Sequence, residues 1–447
     1  MNHPSVTESR PTRSPGGTGI WCCEFELSRA GTLNAVAEPA DAAVMRVLVR
    51  LHGEPLGYLT LPFTSHEPGP AIVSASWPEF GDLITDHLRA DGVEVPVGAA
   101  RTGWRPPAAT AECRNTIQGD EFVTVVVCTR DRAAALAPCL ERLTMIRYPH
   151  VEFVIVDNAP ADDATEQVIR AWAANDGRFR YVREPIAGLS RARNAGLAAA
   201  LGDIVAYTDD DVAVDARWIE GLLRGFRTRA DVTCVTGLVC TAAIRNSAEA
   251  YFDARTASWS SRCAPELFDL SAASRRGPLY PFSAGIFGTG ASFAFDRERL
   301  IRLGGFDEAL GAGTRTRGGE DLDVFVRVLL AGDAIAYQPA AVVWHHHRAD
   351  DAALLRQVYG YGTGLAAYLT KLLLHRSTRA LVLRRIPAGI VRIARIRSAT
   401  RNRLPGTVTP PAGALAREFA GYLAGPWLYS RARRAAGRAP STRRSPS

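Results

Sequence analysis

The chain has 447 residues, a formal net charge of +7, 47% apolar residues and 22% charged ones, which allows two or three domains and at least one large core. No stretch reaches the roughly 18 uninterrupted apolar residues of a membrane-spanning helix, and eight cysteines without regular spacing exclude a disulfide framework. The charge is uneven: residues 352–417 hold many Arg but no Asp or Glu, and Lys371 is the single lysine.

In chain order, residues 1–19 are rich in Pro, Ser, Thr and Gly with no apolar core, so they read as a disordered arm rather than a secretory signal. Residues 44–51 and 56–63 read as two strands around His52-Gly53-Glu54-Pro55, and 79–90 has the helical spacing of Phe80, Leu83, Ile84 and Leu88. Together, 20–96 form a small α+β module with no cluster tied to chemistry, whose simplest use is docking or packing. Cys128, Cys234 and Cys240 sit in apolar runs as buried free thiols would. The adjacent Cys22 and Cys23 lack a second pair to complete a zinc site, and a reducing, cytoplasmic setting is expected. A linker follows over 97–120, carrying Pro106-Pro107.

From residue 121 the texture changes. Val123-Thr124-Val125-Val126-Val127 is the continuous β-branched run of a strand buried on both faces. A helix over 133–146, a strand over 151–156, a helix over 163–174, a strand over 179–182 and a helix over 189–201 then alternate. The strand 204–208 closes the series. This rhythm predicts right-handed βαβ units and an α/β, doubly wound, mostly parallel sheet over 121–350. A helix over 218–226 and a strand over 234–239 follow; 242–286 is irregular, aromatic and polar (Tyr251, Phe268, Tyr280, Phe282). Gly288-Thr289-Gly290 leads into a strand over 291–295, a helix runs over 324–331 and a strand over 341–344.

Polar groups gather where these strands end: Thr129-Arg130-Asp131-Arg132, Asp157-Asn158 and Asp209-Asp210-Asp211. Ligands of open α/β sheets bind outside those carboxyl ends. Three adjacent carboxylates repel one another unless a cation offsets them, and Mg²⁺ or Mn²⁺ bridges carboxylates to phosphates. Taken alone, such a triplet also suits a solvated acidic turn. The helix opened by Gly188, with Arg191, Arg193 and Asn194, is a natural diphosphate site, although taken alone its two arginines also suit a solvated face. Glu320 and Asp321 open another helix behind Gly318-Gly319, and Trp344 precedes His345-His346-His347, of which at most His345 and His347 share a face. No dinucleotide fingerprint and no Walker A sequence occur.

This ordered set resembles the nucleotide-sugar-dependent glycosyltransferases of family 2, of GT-A fold, over roughly residues 122–348, including His347-Arg348. The resemblance implies that Thr129, Arg132 and Asp157 line the nucleoside pocket, with Arg130 and Asn158 also at the nucleotide-sugar. Arg191, Arg193, Asn194, Asp209 and Asp210 would serve the rest of the nucleotide-sugar. Asp211 and Asp209, with His345 or His347, would hold a divalent metal, Mg or Mn. Gly288, Gly290 and Trp344 would face the sugar or acceptor. Asp321, with Glu320 beside it, would be the catalytic base, and a single base with direct attack predicts inversion. The partners implied are a nucleoside-diphosphate sugar and a hydroxyl acceptor, a glycan or a lipid-linked one.

The tail has two parts. Residues 354–374 are apolar but carry Gly360, Gly362 and Gly364, which weaken a helix. Over 381–396 apolar residues recur beside Arg384, Arg385, Arg392 and Arg395. A basic helical region over 351–430 therefore suits the inner face of an anionic membrane, or else packs on the catalytic domain; 431–447 reads as a disordered tail. Two rival functions compete. A nucleotidyltransferase needs a Gly-rich basic first loop and a phosphate-binding lysine, and Lys371 lies far off in the tail. Nucleic-acid binding is disfavoured because aromatics do not interleave with the arginines and the acidic site repels phosphate without metal.

Overall fold

The N-terminal module is built on a run of apolar residues at its start. In the computed structural model, Cys23, Phe25 and Leu27 are buried in and beside β1 (Gly19–Glu26). It is followed by β2 (Leu33–Asn34), β3 (Ala42–Leu51), β4 (Glu54–Pro62) and α1 (Gly69–Ala90). The structure describes residues 19–436 apart from 29–32, 40–41, 65–66, 110–112, 114–116, 118, 272–275, 284, 348–349, 405–407 and 409. The expected arm before Gly19, the tail beyond residue 436, and Arg348 lie outside the described residues. The sheet order is β2-β1-β3-β4, with β1 parallel to β3 and the expected β3–β4 hairpin antiparallel. Helix α1 starts ten residues before residue 79 and runs through Pro78, with a proline in its first turn. It buries Ile72, Trp77, Phe80, Ile84 and Leu88 against Met45, Val47, Val49 and Leu51. Each such fully buried side chain contributes about 1.5–3 kcal/mol relative to exposure.

A short helix, α2 (Ala99–Thr102), lies within the expected linker. The second sheet then forms from β5 (Val123–Thr129), α3 (Ala133–Thr144), β6 (Val151–Asn158), α4 (Ala164–Asn175), β7 (Phe179–Glu184), α5 (Leu189–Ala199), β8 (Ile204–Asp209) and β9 (Val212–Val214). Beyond these come α6 (Trp218–Phe226), β10 (Val232–Thr241), α7 (Ser247–Ser260), β11 (Glu266–Phe268), β12 (Ser292–Asp296), α8 (Arg297–Arg302), α9 (Glu320–Leu330) and β13 (Ala334–His345). The order is β11-β13-β10-β12-β8-β5-β6-β7, with β9 on β13. The α/β sheet is as expected, with a parallel half in β8-β5-β6-β7. Its other half is mixed, because β12 returns between β8 and β10 antiparallel to both. Apolar layers cover both faces.

The segment read as irregular contains α7, capped by Asn246, whose side chain accepts from the Glu249 backbone N–H at 3.0 Å. The module docks here and on β13. Arg46 pairs with Asp253 at 2.7 Å and Arg50 with Asp215 at 2.8 Å, while Cys22 and Leu48 pack against Ala213, Leu238 and Trp344.

The tail forms α10 (Asp351–Leu374), α11 (Arg376–Leu383), α12 (Ile386–Arg403) and α13 (Ala414–Ala436). The expected helical region is present, and the glycines read as weakening it do not interrupt α10. They let backbones meet: a Cβ on Gly362 would stand 2.3 Å from the Glu418 carbonyl oxygen of α13, and one on Gly364 2.7 Å from Gly318. Among the described residues, no helix is long and apolar enough to cross a membrane.

Candidate active site

The carboxyl ends of β8 and β13 and the amino end of β12 meet at one cavity of about 490 Å³, lined by Asp209, Arg193, Glu320, Asp321, Gly290 and His345 among others. Strand β8 runs buried until Thr208 and releases its acidic triplet at that edge. The three carboxylates part company there. Asp210 turns inward: its oxygens accept from Thr129 Oγ1 at 2.7 Å and Arg132 Nη1 at 2.6 Å. Thr129, Arg132 and Asp210, all expected at the nucleotide, thus staple the end of β5 to the triplet. Asp209 faces Arg193 at 3.5 Å. Burial, with Asp211 and Asp210 nearby, pushes the Asp209 carboxyl up to about 7 against the pull of Arg193.

Arg193 is 3% exposed. Its Nη1 donates to Glu320 Oε1 at 3.0 Å and its Nη2 to the Gly290 carbonyl at 3.2 Å, with its guanidinium over the Phe293 ring. Burial opposes that charge, yet Glu320 and Asp209 hold the group above its ordinary range. Glu320, expected beside the base, is the counterion of Arg193; burial and Asp321 raise its carboxyl. The base candidate is separate. Asp321 Oδ2 accepts from the Gly290 N–H at 3.2 Å and Oδ1 from the Leu322 N–H at 2.8 Å, which fixes the carboxylate at the cavity wall. Gly288 sits at φ 123° with its Cα against Thr236, where a Cβ would approach to 2.6 Å. A turn this tight brings the Gly290 amide within reach.

On β13, alternation of side chains decides two expectations. Trp344 points away from the cavity and is buried with Ala213, Leu238 and Leu48 beneath the N-terminal module, so it does not face an acceptor. His345 points into the cavity with Nε2 3.5 Å from Asp211 Oδ1. His347 backs it: the two Nδ1 atoms are 3.1 Å apart, and His347 Nε2 lies 3.0 Å from Thr241 Oγ1. Thr241 donates in turn to Asp253 Oδ1 at 2.7 Å, the oxygen that Arg46 holds.

That chain fixes the protons. An ionised Asp253 only accepts, so the Thr241 hydroxyl proton goes to it and His347 Nε2–H donates to Thr241. Burial lowers His347 to about 3, leaving the ring neutral, so its Nδ1 accepts from His345 Nδ1–H. His345 then turns its Nε2 to Asp211. An imidazole nitrogen and a carboxylate oxygen 3.5 Å apart are a pair of donors that a divalent cation could bridge. Thr241, Asp253 and Arg46 were not expected here; no local pattern joins them.

Several remaining expectations resolve otherwise. Asn158 accepts from the Gly188 N–H at 2.9 Å and donates to the Ile186 carbonyl at 2.8 Å, holding the loop before α5 rather than a nucleotide. Asn194 clasps the Phe306 backbone through both amide atoms. Arg191 pairs with Glu308 at 2.7 Å, and Arg130 is exposed beside Asp131. Asp157 is fully buried: Tyr181 donates to its Oδ2 at 3.1 Å while Oδ1 makes no hydrogen bond, and burial raises its carboxyl.

Residues 124–292 match the family model described as Glycosyl transferase family 2. Pre-mycofactocin glycosyltransferase of Mycobacterium tuberculosis is 26% identical over 266 residues, 59% of this chain and 49% of that one. Glucosyl-dolichyl phosphate glucuronosyltransferase of Haloferax volcanii is 24% identical over 227 residues, 50% of this chain and 68% of that one. The chain spans about half the length of the first of these relatives. Among solved structures, a mannosyltransferase from Pyrobaculum calidifontis in complex with GDP-Man and Mn²⁺ is 20% identical. The match covers 84% of this chain and 99% of that one, with a TM-score of 0.44.

Proposed function

We infer, for a chain that carries a family 2 glycosyltransferase domain, that it moves a sugar from a nucleoside-diphosphate sugar to a hydroxyl acceptor with inversion at the anomeric carbon. The observation that carries this reading is one cavity lined together by Asp321, Asp209, Arg193 and His345. Breaking a sugar–diphosphate bond puts negative charge on the leaving phosphate and positive character on the sugar.

Asp211 and His345, with Asp209 near them, would hold a divalent metal. Such an ion supplies charge stabilisation at the leaving diphosphate. Arg193 adds a fixed cation to the same cavity, its position set by Glu320 and the Gly290 carbonyl. Asp321, oriented by two backbone N–H groups, takes the proton of the attacking hydroxyl. Direct attack opposite the leaving group inverts the centre. Asp157 Oδ1, buried and with no hydrogen bond, would be one acceptor atom for the donor's nucleoside.

Arg392, Arg395 and Arg403 of α12 line the same cavity, which favours an acceptor bearing negative charge, such as a lipid-linked phosphate. Exposed Ile390, Val391, Leu423 and Trp427 beside the tail arginines would meet an anionic membrane surface. Co-sedimentation with anionic vesicles that Trp427→Glu abolishes supports that contact, and no pelleting of the wild type refutes it. For the chemistry, Asp321→Asn should cut kcat by about 10²–10⁴ while donor binding persists. A retained anomeric configuration, or a variant at the wild-type rate, would overturn the reading.

A further inference from the structure

The N-terminal module holds a second cluster, in residues outside the family match. His52 stands at the β3–β4 turn, His87 and Asp91 at the end of α1, and Cys113 in the segment after α2. One ligand atom from each lies within 4.8 Å of the others. His52 Nδ1 is 2.9 Å from His87 Nε2, and both are 3.2 Å from Asp91 Oδ2. Cys113 Sγ is 3.4 Å from His52 Nδ1 and 3.8 Å from His87 Nε2. Around zinc, tetrahedral N, O and S ligands are separated by about 3.3–3.7 Å. Both histidines, Cys113 and the Asp91 side chain are buried.

The outer contacts fix the protons of both rings. His52 Nε2 lies 3.0 Å from the Pro107 carbonyl, which only accepts, so Nε2 carries the hydrogen. His87 Nδ1 lies 3.1 Å from Glu54 Oε2 and likewise donates. Each ring therefore turns its other nitrogen inward, toward the other ring and toward the Asp91 carboxylate. Imidazoles oriented by a carbonyl and a carboxylate behind them are the usual outer layer of a zinc site.

The strain agrees. His52 adopts φ 53°, a left-handed conformation unusual for a residue with a side chain, and Glu26 holds it there through the His52 and Gly53 N–H groups at 2.9 Å. Arg217 of the catalytic domain donates to the His52 carbonyl at 3.1 Å.

We propose that His52, His87, Asp91 and Cys113 form a structural zinc site that ties the segment after α2 to the N-terminal module. Zn²⁺ with one carboxylate and one thiolate is a neutral unit, suited to burial. On binding, the Cys113 thiol releases its proton to solvent and nothing is oxidised. Four protein ligands leave no open position, so the ion has no catalytic part.

The test uses the full chain, with the cleft saturated by Mg²⁺. Elemental analysis after dialysis should find about one zinc per chain. Cys113→Ser and Asp91→Asn should lose it, and Cys22→Ser should keep it. Chelation followed by Co²⁺ should give tetrahedral d–d absorption and a thiolate-to-cobalt charge-transfer band, which the cleft's carboxylate and imidazole donors cannot produce. A zinc-free wild type without the cobalt bands would overturn the proposal, as would zinc retained by Cys113→Ser. If the variants fail to fold, the wild-type cobalt spectrum decides alone: a thiolate band supports the site, and its absence overturns it.

Discussion

Thr241→Val probes the proton chain behind His345. The substitution keeps shape but removes the hydroxyl that accepts from His347 Nε2, 3.0 Å away, and donates to Asp253 at 2.7 Å. Asp253 keeps Arg46 as a partner, so the main loss falls on the buried His347 N–H. A stranded buried donor costs about 1–3 kcal/mol, which should lower the melting temperature by several degrees. With its anchor gone, His347 no longer fixes the tautomer of His345, and changes in such outer contacts weaken metal binding by about 10–100-fold. Donor turnover measured against Mn²⁺ concentration should therefore show half-saturation rising by that factor. kcat at saturating metal should stay within about threefold, since no reacting group is touched. Thr241→Ser, which retains the hydroxyl, should behave as wild type. A Val variant whose Mn²⁺ curve overlays the wild type, even with lowered stability, would reduce the chain to packing.

Two further predictions concern how the tail helices hold the domain. The chain's single lysine, Lys371, reaches Asp307 at 2.9 Å and Asp323 at 2.7 Å. Burial disfavours the Asp307 charge, but Lys371 outweighs it and holds that carboxyl below its usual range. The unfolded chain therefore takes up this proton first as pH falls, so the stabilisation is complete above the unfolded value near 4 and is lost below it. Lys371→Met should cost about 1.5–3 kcal/mol at pH 7 by chemical denaturation, with the deficit shrinking below about pH 4; a pH-independent deficit would contradict this. Gly362→Ala should destabilise by about 1–3 kcal/mol, because the new Cβ would stand 2.3 Å from the Glu418 carbonyl oxygen. Helix propensity alone predicts a gain of about 1 kcal/mol, so the sign of the change separates the two arguments.

The catalytic sheet was legible because its strands are long β-branched runs between helices, and because polar groups at successive strand ends must share an edge. Antiparallel β12 was not, since nothing local reveals a strand's direction. Trp344 was misassigned although period-two alternation already sets it opposite His345. Helix α7 carried a readable start in Asn246 and Glu249, overshadowed by the aromatics around it. The glycines of α10 were weighed by propensity when their use is to let two helix backbones touch, which depends on a partner more than fifty residues away. The roles of Asn158, Asn194 and Asp210 as clasps depend on loops that only the folded chain brings near. Of the His52 cluster, only His87 and Asp91, one helical turn apart, are neighbours in sequence; His52 and Cys113 join them through the hairpin and the linker.

The most direct measurement is the thermal stability of the wild type and Asp211→Asn with uridine, guanosine and thymidine diphosphates, each with and without Mn²⁺. The account predicts a stabilisation of the wild type that requires both Mn²⁺ and a diphosphate, favours one base, and disappears in Asp211→Asn. Equal shifts in the two proteins, or a nucleotide shift indifferent to Mn²⁺, would contradict it.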